Sequence, residues 1–499
     1  MRGTIRPLAL RYAARPSQWR CTARWQSSQA SSTRKWSTPL AKSLAEAITT
    51  TGPIPVAAYM RQCLTNPHGG YYTSRGQETS SDPFGKHGDF ITSPEISQIF
   101  GELIGLWTFA EWRAQKITSK VHLIELGPGR GTLMDDMLRT LRNFKPFMGS
   151  LDRIWLVEAS ANLRETQRRL LCGEHAHLET CEEGFKSRCK YAPDIEIVWV
   201  EDMKFVPQDT EAAPFIIAHE FFDALPIHIF QSVVPRSNET TPSITTSATA
   251  VSDPAKQTKK TKPNEWREML VNPVSPYDAI LNARAEKAGP APDFELIVSP
   301  APTPHSQLLP RLSERYQKIL SITGANIEIS PESQALVADF ARRIGGANQG
   351  SDKKQPAGAA LILDYGPSAT VPTNSLRGIR SHKPISPFAM AGQVDISADV
   401  DFLGLAHSAL DASPGVEVHG PVEQALFLSA MGIKERADML IAKAGADDEV
   451  KRRIETSWKR LVDRGPDGMG KTYKAMAILP YFAERELRRP VGFGGDISV

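Results

Sequence analysis

Between residues 121 and 222, short and mainly apolar runs alternate with longer stretches in which apolar positions recur at helical spacing. The runs VHLIEL (121–126), RIWLVE (153–158), IEIVWV (195–200) and PFIIAHE (214–220) predict strands buried on both faces. That is the pattern of a parallel sheet with helices on each side. From 132 to 144, Leu133, Met134, Met137, Leu138 and Leu141 share one helical face, which predicts the first crossover helix. A fifth strand, ALILDYG (360–366), arrives only after a long interruption, and residues 416–433 predict a late helix beside the sheet. Upstream, Ser93 and Pro94 read as the N-cap and first residue of a helix whose apolar face is Ile96, Ile99, Phe100, Leu103 and Trp107.

The interruption divides in two. Residues 232–264 are rich in Ser, Thr, Pro and Lys, a composition that predicts a disordered insert. EWREMLV (265–271) and FELIVSP (294–300) predict strands of an inserted subdomain, followed by a helix over 331–343 with Ser330 as its N-cap. A flexible loop at 345–358 precedes the fifth strand, and residues 68–90 predict an ordered lid loop in which aromatics interrupt the glycines. The resulting plan is a leader (1–45), an N-terminal helical and lid region (46–118), the first part of the core (119–231), the disordered insert (232–264), the inserted subdomain (265–344), the flexible loop (345–358) and the second part of the core (359–499).

Composition changes this picture mainly at the N-terminus. With 41% hydrophobic and 23% charged residues in 499, the chain is globular, and no apolar run approaches the length of a membrane span. The first 45 residues hold seven arginines and two lysines with no acid until Glu46. Leu8, Leu10, Tyr12 and Trp19 lie between the arginines, as in a mitochondrial transit peptide rather than a compact basic arm. Removing nine positive charges takes the formal +3 to about −6, which gives no reason to expect nucleic acid as a partner. The five cysteines form no CxxC pair, so free thiols and no metal site are expected.

The candidate chemistry begins at IELGPGRGTL (124–133), which follows a strand and opens a helix. Gly127, Gly129 and Gly131 allow a tight turn and close approach of a ligand, and the helix start offers unpaired amides. A dinucleotide fingerprint would place glycine at 132, where Thr132 stands. Glu125 at the strand end suits a cationic ligand and opposes a pyrophosphate. S-adenosylmethionine, with an ammonium, a sulfonium and no phosphate, meets those demands. Glu158, at the end of the second strand, is placed to accept both ribose hydroxyls. The cofactor set is therefore Glu125, Gly127, Pro128, Gly129, Gly131, Thr132 and Glu158. Glu201 and Asp202 are either contacts for the adenine amino group or a solvated acidic turn.

Six blocks in order, GDFITSPEISQIFGELIG (88–105), IELGPGRGTLMDDMLR (124–139), AHEFFDALPIHIFQ (218–231), ILDYG (362–366), LRGIRSHK (376–383) and GQVDISADVDF (392–402), resemble the MidA family over nearly everything from Gly52 onward. The resemblance implies an α/β fold, the class I, seven-stranded, Rossmann-like methyltransferase type, with an N-terminal helical and loop extension and an inserted α+β subdomain. It further implies S-adenosylmethionine as donor, the mitochondrial matrix as location, and symmetric ω-N dimethylation of an arginine on a core matrix-arm subunit of complex I during assembly. The alternative is a non-catalytic complex I assembly chaperone that keeps the fold. Whether the acceptor is a protein or a small molecule, and the oligomeric state, are not written in the residues themselves.

For a guanidinium acceptor, carboxylates at the carboxyl edge of the sheet are the natural ligands. Glu220 and Asp223 are the candidates, with a turn cap as the competing role for Asp223. His219, where many bacterial members of the family carry Asn, is either a proton relay or a hydrogen-bonded structural group. Asp364, Tyr365 and the acids between Asp395 and Asp401 are expected along the same edge. His87, Asp89 and Phe90 are expected in the lid, with Thr92 and Ser93 fixing it.

Overall fold

The computed structural model describes residues 34–74, 91–208, 211–235, 263–275, 290–346, 355–483 and 488–495. The insert over 236–262, the loop over 347–354 and the lid residues His87, Asp89 and Phe90 lie outside the described residues. In chain order the described strands are β1 (Ile54–Pro55), β2 (Lys120–Leu126), β3 (Leu151–Val157), β4 (Glu179–Thr180), β5 (Phe185–Cys189), β6 (Ala192–Val200), β7 (Ala212–His219), β8 (His228–Val233) and β9 (Glu265–Pro273). They continue as β10 (Phe294–Val298), β11 (Asn326–Ile329), β12 (Ala359–Tyr365), β13 (Arg377–Arg380), β14 (Lys383–Ile385), β15 (Asp395–Ser397), β16 (Val416–Glu423) and β17 (Tyr473–Pro480).

The main sheet has the order β16-β17-β12-β7-β2-β3-β6-β5-β4. The five strands expected from the apolar runs are β2, β3, β6, β7 and β12, and they form its parallel centre. β17 runs antiparallel between β12 and β16, which completes the seven-stranded methyltransferase arrangement. β5 and β4 extend the other edge.

Alternate residues of each central strand feed two separate cores. Ala359, Leu361 and Leu363 of β12 face the helices Gln98–Gln115 and Thr132–Leu141, while Ala360 and Ile362 face the helices Pro331–Gly345 and Phe402–Ala412. Burial on both faces explains why the runs read as continuous apolar segments.

A second sheet, β1-β9-β8-β11 with β10 on β9, stands beside the first, and β14-β13-β15 form a third.

Several boundaries differ from those expected. Residues 416–423 form strand β16 and only Gln424–Ala430 are helical, because Val416 and Val418 pair with β17. β8 leaves the main sheet, so the first core segment ends before it. The helix Pro331–Gly345, expected in the inserted subdomain, packs on the main sheet through Val337, Phe340 and Ile344. Its N-cap is Ser330, whose side chain accepts the Ser333 N–H.

The helix expected from Ser93 is split. Thr92 caps Ser93–Ile96 without a side-chain bond, and extended Ser97 breaks the chain and caps Gln98–Gln115 by accepting the Ile99 N–H. Helix Pro39–Thr51 begins inside the stretch assigned to the leader and buries Leu40, Ala41, Leu44 and Ile48 against Tyr59, Ile227 and Val271.

Leu361 lies mid-strand on β12 between β7 and β17 and is fully buried, whereas Leu426 is 56% exposed. Leu361→Ala is expected to lower unfolding free energy in denaturant titration by about 2–5 kcal/mol, and Leu426→Ala by less than about 0.5 kcal/mol.

Candidate functional site

The strand order reverses between β2 and β7, and the carboxyl ends of these two strands open a crevice where open α/β sheets bind ligands. A cavity of about 960 Å³ occupies this place. Its floor is the glycine turn after β2. Gly127, Gly129 and Gly131 have φ of 61°, 54° and 87°, left-handed values that favour glycine. At Gly127 the requirement is also steric, since a Cβ there would lie 2.7 Å from Phe221 Cδ2. Gly131 does not line the cavity. Its N–H bonds the Pro128 carbonyl at 2.7 Å and it starts the helix Thr132–Leu141.

Two buried carboxylates face this turn. Glu125, 2% exposed, keeps Oε2 without a hydrogen bond. Glu158, 7% exposed, accepts the Ser160 N–H at 2.7 Å and Gln167 Nε2 at 3.1 Å. Gln167 also donates to the Gly129 carbonyl at 2.7 Å and is itself held by Trp199 Nε1 at 2.9 Å. One amide side chain thus ties the second strand's acid to the glycine turn. Burial pushes the Glu125 carboxyl up to about 8, with the neighbouring Glu158 charge adding to it. Burial also raises Glu158, to about 7, against the Ser160 and Gln167 hydrogen bonds. Two destabilised carboxylates in a cavity are complementary to a cation.

Glu201 and Asp202 line the outer wall. Glu201 pairs with Arg164 at 3.4 Å, and Asp202 caps a short turn by accepting the Lys204 N–H at 2.9 Å.

Across the cavity, His219 ends β7 and Glu220 follows it. Glu220 adopts φ of 47°, and its Oε1 lies 3.2 Å from His219 Nε2 without forming a hydrogen bond. The Phe100 ring packs on His219 at 5.1 Å. Asp223 does not line the cavity: it is buried and accepts the Tyr365 hydroxyl. Burial raises its carboxyl to about 6, opposed by that hydrogen bond and assisted by the Glu220 charge.

The acids between Asp395 and Asp401 are spent on structure. Asp395 accepts the Tyr72 hydroxyl at 2.9 Å, Asp399 pairs with Arg377 at 2.7 Å, and Asp401 caps the helix Phe402–Ala412 and binds Arg315 at 2.9 Å. Thr92 lines the cavity and Ser93 is buried beneath it.

The cavity also recruits residues that the sequence patterns did not single out. Tyr72 comes from the N-terminal region, and Glu332, Leu336, Asp339 and Arg343 come from the helix Pro331–Gly345. Tyr72 lies in the 68–90 stretch expected as a lid, and only the packing of the helix Pro331–Gly345 on the main sheet brings the other four there.

Away from the cavity, ligand atoms of His228, Glu268 and His305 lie within 4.8 Å of one another. Both Glu268 oxygens are already engaged, by His228 Nδ1 at 2.7 Å and by the Thr303 hydroxyl. Burial alone would raise the Glu268 carboxyl, yet these bonds hold it below its ordinary value. Among the described residues the cysteines are free thiols, and no described helix is long and apolar enough to cross a membrane.

Residues 103–422 match a family of S-adenosyl-L-methionine-dependent methyltransferases. The chain belongs to this family. It is also 35% identical over 442 residues to the protein arginine methyltransferase NDUFAF7 homolog, mitochondrial, of Drosophila melanogaster, covering 88% of this chain and 85% of the relative. Identity to the protein arginine methyltransferase NDUFAF7, mitochondrial, of Homo sapiens is 31% over 484 residues, 96% of this chain and 92% of that one. A crystal structure from Burkholderia thailandensis bound to S-adenosyl-homocysteine shares the fold with a TM-score of 0.60 over 92% of this chain and 94% of its own, at 21% identity. The resemblance to the MidA family carried by the six sequence blocks is upheld. The chain is a methyltransferase, and its donor is S-adenosylmethionine.

The raised carboxyls set a pH window. Glu125 pairs with a cation and Glu158 accepts hydroxyl protons best when ionised, so affinity for S-adenosylmethionine in isothermal titration is expected to rise as pH passes through the values of about 7 and about 8. The same acids, raised from 4.5, bind protons more tightly folded than unfolded. Their contribution to the free enzyme's stability is present below 4.5 and is lost as pH rises toward about 8, which thermal melting without ligand will register. A flat affinity across this range would contradict the electrostatic account.

Gly129→Val is expected to abolish titration heat with S-adenosylmethionine, because a β-branched residue is strained at the φ of 54° and its side chain takes ligand space. Wild-type protein is expected to give no heat with NAD.

Proposed function

We propose that the enzyme methylates the guanidinium of an arginine on a core matrix-arm subunit of complex I, in symmetric ω-N form, in the mitochondrial matrix. The observation that carries the acceptor reading is Glu220, a carboxylate placed at the carboxyl end of β7 in the same cavity as Glu125 and Glu158. The names of the relatives support an arginine in a protein. Membership of the MidA family, whose mitochondrial members are complex I assembly factors, supports the client. The arginine-rich, acid-free first 45 residues and the relatives' designation as mitochondrial support the location.

The residues present fit the donor. Glu125 has an unpartnered buried oxygen, the turn at Gly127 admits no side chain, and Glu158 is fixed by Gln167. When bound, S-adenosylmethionine supplies an electrophilic methyl group on a sulfonium. Glu125 and Glu158 hold the cationic and ribose parts of the donor respectively, while Gly127, Pro128, Gly129 and Thr132 form the floor against which it lies. Gly131 serves the floor indirectly by starting the helix behind it. Glu201 and Asp202 form the adenine end.

On the acceptor side, Glu220 binds the guanidinium by paired hydrogen bonds and turns one nitrogen toward the donor, so most of the rate enhancement is alignment and charge complementarity. It also receives the proton that the guanidinium must lose. His219, which lines the same cavity with Nε2 3.2 Å from Glu220 Oε1, passes that proton on. Asp223 stands behind the wall with Tyr365 and acts on the site through its charge.

Glu220→Gln keeps the side-chain shape and an acceptor oxygen but loses the charge. Methyl transfer from radiolabelled S-adenosylmethionine to the client subunit is expected to fall on the order of a hundredfold. Affinity for the donor and capture of the client in a pull-down should be retained. Full activity would remove Glu220 from the mechanism. A wild-type protein that captures its client but never transfers a methyl would show an assembly chaperone instead.

A further inference from the structure

We propose that Asp364, which does not line the cavity, is the positioning residue for Glu220: its carboxylate anchors the backbone turn that delivers Glu220 to the acceptor site. The inference rests on Glu220 as the carboxylate that binds the acceptor.

Asp364 is the sixth residue of β12, beside β7 in the parallel centre, and it is fully buried. Its Oδ2 accepts three successive backbone amides, those of Phe221 at 3.2 Å, Phe222 at 2.9 Å and Asp223 at 3.3 Å. Its Oδ1 accepts the Tyr365 N–H at 2.9 Å. The Glu220 N–H bonds the carbonyl of Leu363, the preceding residue of β12, at 2.9 Å. Four consecutive amides, from Glu220 to Asp223, are thus fastened to one end of the neighbouring strand.

This fastening is what a left-handed Glu220 requires. A non-glycine residue at φ of 47° persists where its surroundings over-determine it. Phe221, the next residue in the turn, abuts the glycine loop at the position where Gly127 could carry no Cβ. Asp364 therefore sets the turn against both the sheet and the cofactor floor. A shift of the turn would move the acceptor carboxylate relative to the donor, and misplacement by about 1 Å is costly to an aligned displacement.

Asp364→Asn is the direct test. The carboxylate's hydrogen bonds from Phe221, Phe222, Asp223 and Tyr365 are all from backbone N–H donors, so the amide nitrogen of Asn must confront either the turn or the Tyr365 N–H. Methyl transfer is expected to fall on the order of a hundredfold, a much larger loss than any change in KM for S-adenosylmethionine or in the affinity for S-adenosyl-homocysteine. The double variant Asp364→Asn with Glu220→Gln is expected to be no slower than Glu220→Gln alone, because one residue acts through the other. Asp364→Ser, which buries no mismatched amide, is measured alongside in case the Asn variant does not fold. Full activity in either folded variant, or losses that multiply in the double variant, would overturn the proposal. Failure of both single variants to fold would make Asp364 a folding element and overturn it equally. An active Glu220→Gln single variant would instead refute the acceptor reading itself, which keeps the two failures apart.

Discussion

A parallel sheet buried on both faces has no side on which to place polar chemistry, so its reactive groups must sit at the strand ends. In this enzyme the constraint is met at the carboxyl ends of four neighbouring strands. β2 contributes Glu125, β3 is followed by Glu158, β7 is followed by Glu220, and β12 ends with Asp364 and Tyr365. Glu125, Glu158 and Asp364 each adjoin a buried apolar residue in the chain, Leu126, Val157 and Leu363 respectively, which is why burial raises all three. Such a group of acids is costly in the free protein and complementary to cationic ligands.

The cost is distributed unevenly. Asp364 faces four backbone amides and Glu158 is held by Ser160 and Gln167, so these two are satisfied within the fold. Glu125 keeps one oxygen without a hydrogen bond. The division follows position: an acid outside the cavity, such as Asp364, is bonded only within the fold, while Glu125 and Glu158 line the cavity and Glu125 keeps an acceptor to spare. Asp223, bonded to Tyr365 and out of the cavity, belongs with the first group although its sequence position beside Glu220 made it look like the second.

The second sheet and the N-terminal helices serve this edge from outside. The cluster formed by Leu44, Tyr59, Ile229 and Val271 holds the N-terminal region against β8 and β9, and that region brings Tyr72 to the cavity. Arg61 of the helix Val56–Thr65 pairs with Glu332 of the helix Pro331–Gly345, so the N-terminal region is tied to a helix of the main sheet at the cavity wall. The two sheets are therefore joined through the wall of the site.

The five central strands, the first crossover helix and the glycine turn were legible in the amino-acid order because each depends on local signals: doubly buried strands, helical spacing, and glycines where the backbone turns left-handed. Glu125 and Glu158 were legible for the same reason, since strand ends fix where ligands bind in this class of sheet. Other features depended on packing between distant segments. No periodicity shows that residues 416–423 pair with β17, that the helix Pro331–Gly345 belongs to the main sheet, or that Glu332 and Asp339 reach the cavity. The different fates of Glu220 and Asp223 were likewise decided only in three dimensions. The two carboxylates stand three residues apart, and their separation follows from a turn held by Asp364, 141 residues beyond Asp223 in the chain. Local sequence sets which groups can reach a strand end, but hydrogen bonds between strands remote in sequence decide which of them faces the ligand.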